Sequence, residues 1–261
     1  MKVIKQEAVI LKQSDGLEGL YKQIEYAART CYQSYDKATT GSGERMVNWL
    51  AEHKHTAMLE HGTVYLKGTL KELEHYIVNP YSKVHKNDDI LYITTNYRVI
   101  IENGWKNDLK YMCSPTEYHE KRYTVKAITN LQVSTELLRH RKMSFAMESS
   151  RYCSYDKEKF GDELTFILPS WLDDKAKKMD VIEWANGMQD AENHYMRLIH
   201  NGWTAEKAAQ FLPKAAKTTI VMTGFESDWD HFFDLRYFEK TGEVHPQMKE
   251  LSTIIYNLFE K

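Results

Sequence analysis

The sequence predicts an α+β fold built as a single domain. Three observations carry this expectation. Runs rich in β-branched and aromatic residues and runs with helical apolar spacing both occur along the chain. Internal repeats, low-complexity segments and linker-like runs do not. The 261 residues suit one large domain or two small ones and can bury a sizeable core.

The elements follow in order. Val3 to Leu11 reads as a first strand. Leu20, Ile24 and Ala27-Ala28 recur at helical spacing, which predicts a helix over Leu17 to Tyr32. A polar loop over Ala38 to Gly43 leads to a second helix, Glu44 to His53. Thr63 to Lys67 reads as a strand, and Leu70 to Val78 as a helix ending before Pro80. Ile90 to Ile101 reads as a strand or strand pair, with a short helix after Gly104. Tyr123 to Val133 alternates as a strand, and Ser134 is a cap for a helix through Arg141. Phe166 to Leu168 is a short strand. Asp180 to His200 carries one stripe of Val181, Trp184, Met188, Ala191, Tyr195 and Leu198. Thr204 caps Ala205 to Leu212, and Lys217 to Thr223 fits strand or helix. Ser227 with Asp230 resembles a capping box for a helix through Phe238. Pro246 to Phe259 forms the last helix.

The bulk chemistry narrows the function classes. A net charge of −2 disfavours a dedicated nucleic-acid binder. Three cysteines, Cys31, Cys113 and Cys153, are odd in number and far apart, which points away from a disulfide framework and toward a reducing cytoplasm. Met1 to Glu7 lacks a signal-peptide apolar core, and no run approaches a membrane span.

Against this near-neutral background, Arg139 to Tyr152 (RHRKMSFAMESSRY) holds four permanent cations and His140 against one carboxylate, Glu148. Cations at a helix C-terminus complement its dipole, which accounts for one or two of them. Ser144, Ser149, Ser150 and Arg151 add hydroxyls and a guanidinium, the donors used for phosphates. On a helix, Glu136 neighbours Arg139 and His140 and can orient them. Arg236 shares a helix face with Trp229, Phe232 and Phe233. It is read either as a structural partner of an Asp or Glu or as part of an anion site. His53, His55 and His61 with Glu60 form a polar cluster, read as hydrogen-bonded or ligand-facing and not as a metal site. Cys31 and Cys153 are nucleophiles in principle only. The chain has no G-x-G-x-x-G fingerprint and no P-loop.

Arg139-His140-Arg141, seven residues, Ser149, then Arg151-Tyr152 resembles the signature of the flavin-dependent thymidylate synthases. Supporting matches are Ala27 to Tyr32, His53-Lys54-His55 through Glu60-His61, Phe211-Leu212-Pro213, Phe232 to Arg236 and His245-Pro246-Gln247. The resemblance implies one such domain over residues 1–261, with the segment from Gly68 to Tyr123 longer than in compact members. It implies a central, mainly antiparallel sheet flanked by helices, in a homotetramer whose sites are shared between subunits. The implied chemistry is reductive methylation of dUMP to dTMP. Methylenetetrahydrofolate supplies the carbon, and FAD reduced by NADPH supplies the hydride. No membrane or nucleic-acid partner is implied.

By the same resemblance, His55, Arg139, His140, Arg141 and His231 contact FAD. Glu136, Arg139, Ser149, Ser150, Arg151 and Arg236 contact the nucleotide, and Arg236 stabilises the ionised uracil ring in catalysis. The sequence departs from the family pattern at Met147, Ala209, Lys214, Phe225 and Ser227. These departures leave room for an alternative, a flavoenzyme of the same fold acting on another pyrimidine nucleotide such as dCMP. A non-catalytic nucleotide- or RNA-binding module is the reading from another class.

Overall fold

The computed structural model describes residues 1–173 and 175–259. The chain begins with β1 (Lys2–Ile4) and β2 (Glu7–Leu11), two strands where the sequence reads as one. The break falls at Gln6. Its side chain is buried and bonds the carbonyl of Gln247, the carboxylate of Glu250 and the hydroxyl of Thr129. That anchorage sends β1 and β2 into different sheets. Helix α1 (Gly16–Thr30) buries Leu20, Ile24, Ala27 and Ala28, and α2 (Ser42–Glu52) packs Val47 and Leu50 beside it.

Next come β3 (Thr63–Thr69), a single-turn α3 (Leu70–Leu73), β4 (Lys83–Asn87), β5 (Ile90–Asn96) and α4 (Tyr97–Glu102). The expected strand over Ile90 to Ile101 thus turns helical half-way. Asn96 ends it: its side-chain oxygen accepts from the Val99 N–H at 3.2 Å and caps α4. The expected helices over Leu70–Val78 and after Gly104 are short, with 3₁₀ turns at Glu74–Tyr76 and Lys106–Tyr111.

Strand β6 (Arg122–Asn130) leads directly into α5 (Leu131–Leu137). Here the cap is Asn130, whose side-chain oxygen accepts from the Val133 N–H at 2.8 Å. The expected cap, Ser134, lies inside the helix and donates to the Leu131 carbonyl. The helix starts and stops early, so residues 139–141 lie in the turn beyond it. Strand β7 (Ser144–Met147), which the sequence reading did not find, follows, then β8 (Thr165–Ile167), α6 (Lys178–His200), α7 (Ala205–Ala208), β9 (Lys217–Phe225), α8 (Glu226–Arg236) and α9 (Pro246–Phe259). In α8 the Asp228 carboxylate accepts from the Phe225 N–H, displacing the expected Ser227–Asp230 box; Ser227 instead bonds Glu120. Of the expected α6 stripe, Tyr195 is fully buried and Val181 is exposed.

The main sheet is four-stranded in the order β2-β6-β9-β7 and antiparallel throughout. Its core joins Val125, Ala127, Ile220 and Met222 to the aromatic face of α8 and to Met248, Leu251 and Ile255 of α9. A second antiparallel sheet, β3-β5-β4, has its own core with α1, α2 and α4. Strands β1 and β8 pair in parallel. One register positions everything that follows. Strand β7 runs along β9 with Ser144 opposite Thr223 and Met147 opposite Ile220. Residues 139–143 therefore lie at the C-terminal end of β9, and residues 149–151 at its N-terminal end.

Candidate active site

Arg139, His140 and Arg141 form the turn that ends α5. The His140 N–H bonds the Leu137 carbonyl at 3.0 Å, and the Met143 N–H bonds the His140 carbonyl at 3.0 Å. This turn faces the last two turns of α8. Between them is a cavity of about 300 Å³ lined by Arg139, His140, Arg141, Lys142, Met143, Asp228, His231, Leu235 and Arg236. Five of the residues singled out from sequence thus share one cavity.

Arg236 is its most constrained cation. Its Nε–H donates to His140 Nε2 at 3.1 Å, its Nη1 to a Glu136 carboxylate oxygen at 3.2 Å and its Nη2 to the Glu136 carbonyl at 3.4 Å. The carboxylate of Glu136 therefore serves Arg236, correcting the expectation that it orients Arg139 and His140; its distance in sequence, 100 residues, hid the pairing. His140 can accept from a guanidinium only if neutral. Burial first, then the charges of Arg236 and His231, push its pKa down to about 4. Phe232 supports the ring edge-on, centroids 5.0 Å apart. Among the described residues, neither Arg139 nor Arg141 has a carboxylate within ion-pair distance. Arg139, Arg141, Lys142 and Arg236 face a single lining carboxylate, Asp228. The cavity accordingly favours an anion, and its free guanidinium N–H groups suit phosphate. That donor set fits the anionic part of a dinucleotide such as FAD.

The other predicted residues lie elsewhere. Ser149, Ser150 and Arg151 are outside this cavity. The Ser149 N–H bonds the Cys31 carbonyl at 3.0 Å, and Arg151 forms an exposed ion pair with Glu206 at 2.8 Å. His55 is exposed against the edge of Trp49, while His53 stacks on that ring. His61 is instead buried, its Nδ1 bonded to the Thr223 hydroxyl at 2.8 Å, and burial lowers its pKa to about 3. The histidines do not converge, and among the described residues no three metal-ligating side chains cluster. No thiol is activated: burial raises Cys31 and Cys113, and pushes Cys153 up to about 11.

The sequence reading missed one feature behind the Ser149 loop. Glu148, 4 % exposed, binds Lys217 at 2.6 Å, accepts from the Tyr155 hydroxyl at 3.0 Å and from the Thr219 N–H at 3.2 Å. Its own N–H donates to the Thr219 carbonyl at 2.8 Å. Its only sequence signal was being the one carboxylate of the basic stretch, and Lys217 lies 69 residues away.

Residues 92–261, about two thirds of the chain, match the family model described as thymidylate synthase complementing protein. The chain belongs to this family. The match covers both halves of the basic stretch and Arg236, and excludes β3 and β4. Curated relatives named flavin-dependent thymidylate synthase agree with it. The one from Geobacter sulfurreducens is 35 % identical over 107 residues, 41 % of this chain and 44 % of that protein. The one from Pyrococcus furiosus is 34 % identical over 106 residues, 40 % and 41 % respectively. These alignments span less than half of the relatives' length. The Corynebacterium diphtheriae enzyme aligns more widely, over 83 % of this chain and 66 % of its own, at 22 % identity. A solved UMP/dUMP methylase, PolB from Streptomyces cacaoi, aligns over 99 % of this chain and 92 % of its own with TM-score 0.49 and 16 % identity, a likeness too slight to carry an inference. Among the described residues no helix is long and apolar enough to cross a membrane.

Proposed function

We propose that the chain is a flavin-dependent thymidylate synthase, converting dUMP to dTMP with methylenetetrahydrofolate as carbon donor and NADPH as reductant. The observation that carries this reading is the gathering of Arg139, His140, Arg141, His231 and Arg236 around one cavity. Arg139 and Arg141 hold the anionic part of FAD, with His140, His231 and, from the surface, His55 placing the rest. Bound flavin supplies the hydride.

Arg236 acts on the pyrimidine. Its guanidinium is aimed by neutral His140 and by Glu136, and it stabilises negative charge developing on the uracil carbonyls. Ser149, Ser150 and Arg151 hold the nucleotide phosphate. They sit beyond the far end of β7, a strand about 10 Å long. The reading therefore places the Arg236 cavity of one copy against the Ser149 loop of another, within a homotetramer of single domains spanning residues 1–261. It is a cytoplasmic enzyme of free nucleotides and folate, without membrane or nucleic-acid partners.

The test is direct. Protein purified with FAD should show flavin absorbance and should release tritium from 5-tritiated dUMP when NADPH and methylenetetrahydrofolate are added. Protein that neither takes up FAD nor releases tritium rules the reading out. Ala209, a half-buried residue without a charge where relatives of this type carry a nucleotide-binding arginine, favours a second reading, a preference for another pyrimidine nucleotide. Flavin-absorbance titrations with dUMP and dCMP separate the two.

A further inference from the structure

A larger cavity, about 550 Å³, lies at the opposite end of β9 and shares no lining residue with the Arg236 cavity. Four stretches distant in sequence converge on it: β1, the loop after α1, the loop between β7 and β8, and the start of β9. Its volume falls within the range of small-molecule sites, roughly 300–1,000 Å³.

Its walls specify a ligand. Tyr35, Tyr155 and Phe160 present aromatic rings, Tyr155 and Phe160 meeting edge to face at 5.0 Å. Both phenol protons are committed, that of Tyr155 to Glu148 at 3.0 Å and that of Tyr35 to the Thr30 hydroxyl at 2.9 Å. The donors left for a ligand are ammonium groups on Lys2, Lys159 and Lys217. Lys217 is paired with Glu148, and the lining Glu163 shares the Met1 ammonium, at 2.9 Å, with Glu192 at 3.0 Å. Among the described residues neither Lys2 nor Lys159 forms an ion pair, so these two ammonium groups remain for an acidic group.

The cavity is also wired to the Ser149 loop. Lys217 and Tyr155 both hold Glu148, the residue before Ser149. Lys159 donates to the carbonyls of Tyr32 at 3.0 Å and Gln33 at 3.1 Å, next to Cys31, whose carbonyl receives the Ser149 N–H.

We propose that this cavity is a second binding site, taking a small planar aromatic molecule with one acidic group, and that its occupancy is linked to the affinity of the Ser149–Arg151 loop for nucleotide. The linkage rests on the function proposed above; the site does not. Rings stack on the aromatic walls while the acidic group meets Lys2 and Lys159. By reciprocity, a ligand here that shifts the loop is itself bound differently when nucleotide is present.

Calorimetric titration of the full chain, without dUMP, tests the site with two probes. Adenosine 5′-monophosphate offers a ring with a phosphate, and 4-aminobenzoate offers a ring with a carboxylate. At least one should bind saturably, and which one binds identifies the acidic group. Lys159→Glu, at an exposed lysine, and Leu212→Trp, which fills the cavity, should each weaken that binding at least about tenfold. Flavin absorbance should be unchanged in both variants. Absence of binding by both probes, or equal binding by wild type and Lys159→Glu, overturns the site. With the probe saturating, the dUMP affinity should shift at least about threefold. An unchanged dUMP affinity overturns the linkage, whereas a protein that binds the probe but never binds dUMP counts against the proposed function instead.

Discussion

Residues 139–141 and residues 149–151 are separated by one short strand, yet they meet different partners. The first group ends a helix and packs against α8, where His140 is buried, neutral and bonded to Arg236. In the second, Ser149 and Ser150 are half-buried, and Arg151 is exposed, 5.5 Å over the Tyr152 ring and in a solvated pair with Glu206 in which both partners are more than half exposed. One group is organised within the chain. The other is held from behind, through Glu148 and the Cys31 carbonyl. The difference teaches that a signature contiguous in sequence need not form one site in one chain. A register of four residue pairs along β9 is enough to divide it.

That division can be broken from either end. Glu148→Ala should have the largest effect on stability. It strands Lys217, 16 % exposed, without its carboxylate, a loss of about 3–5 kcal/mol in chemical denaturation. Flavin binding in the fraction that folds should be preserved, because the Arg236 cavity lies at the other end of β9; loss of flavin would merge the two ends. Arg236→Ala should lower turnover by about 10²–10³-fold, as expected for removing a donor aimed at developing charge. Its flavin absorbance should persist, and a variant with full turnover would remove the assigned role. Arg151→Ala should raise the KM for dUMP by roughly 10–100-fold, equivalent to about 1.5–3 kcal/mol for a charge-assisted contact. Flavin binding and kcat should change little. Glu206→Ala should do least, under about 1 kcal/mol in stability, since a solvated pair is worth little. A KM that rises as much in Glu206→Ala as in Arg151→Ala would mean that the surface pair itself positions the loop.

Much of the architecture was legible in sequence where period and length agreed. The alternation from Tyr123, the stripe of α1 and the span of α9 matched the structure. Legibility failed where one residue switched the backbone. Asn96 and Asn130 each cap a helix at the end of a strand, so a continuous β-like run hid the change. Strand β4 reads Lys-Val-His-Lys-Asn and β7 has only four residues amid charges, so neither shows a strand pattern. The site was legible in part for a related reason. The motif and the aromatic face of α8 identified Arg139, His140, Arg141 and Arg236. No local pattern, however, can show Arg236 taking Glu136 as its partner, or Glu148 taking Lys217. The larger cavity was invisible because no two of its ammonium groups share a segment.

Mixing two disabled chains tests the central claim most directly. Arg236→Ala and Arg151→Ala proteins, each weakly active alone at dUMP well below the raised KM of the second, would be co-expressed and assayed at that concentration for tritium release from 5-tritiated dUMP. If the cavity of one copy faces the loop of another, random assembly gives about a quarter of the sites both arginines, and activity should recover toward that fraction of wild type. Activity no higher than the average of the two variants alone, in assemblies shown to contain both chains, would mean that one chain supplies both groups and would contradict the account.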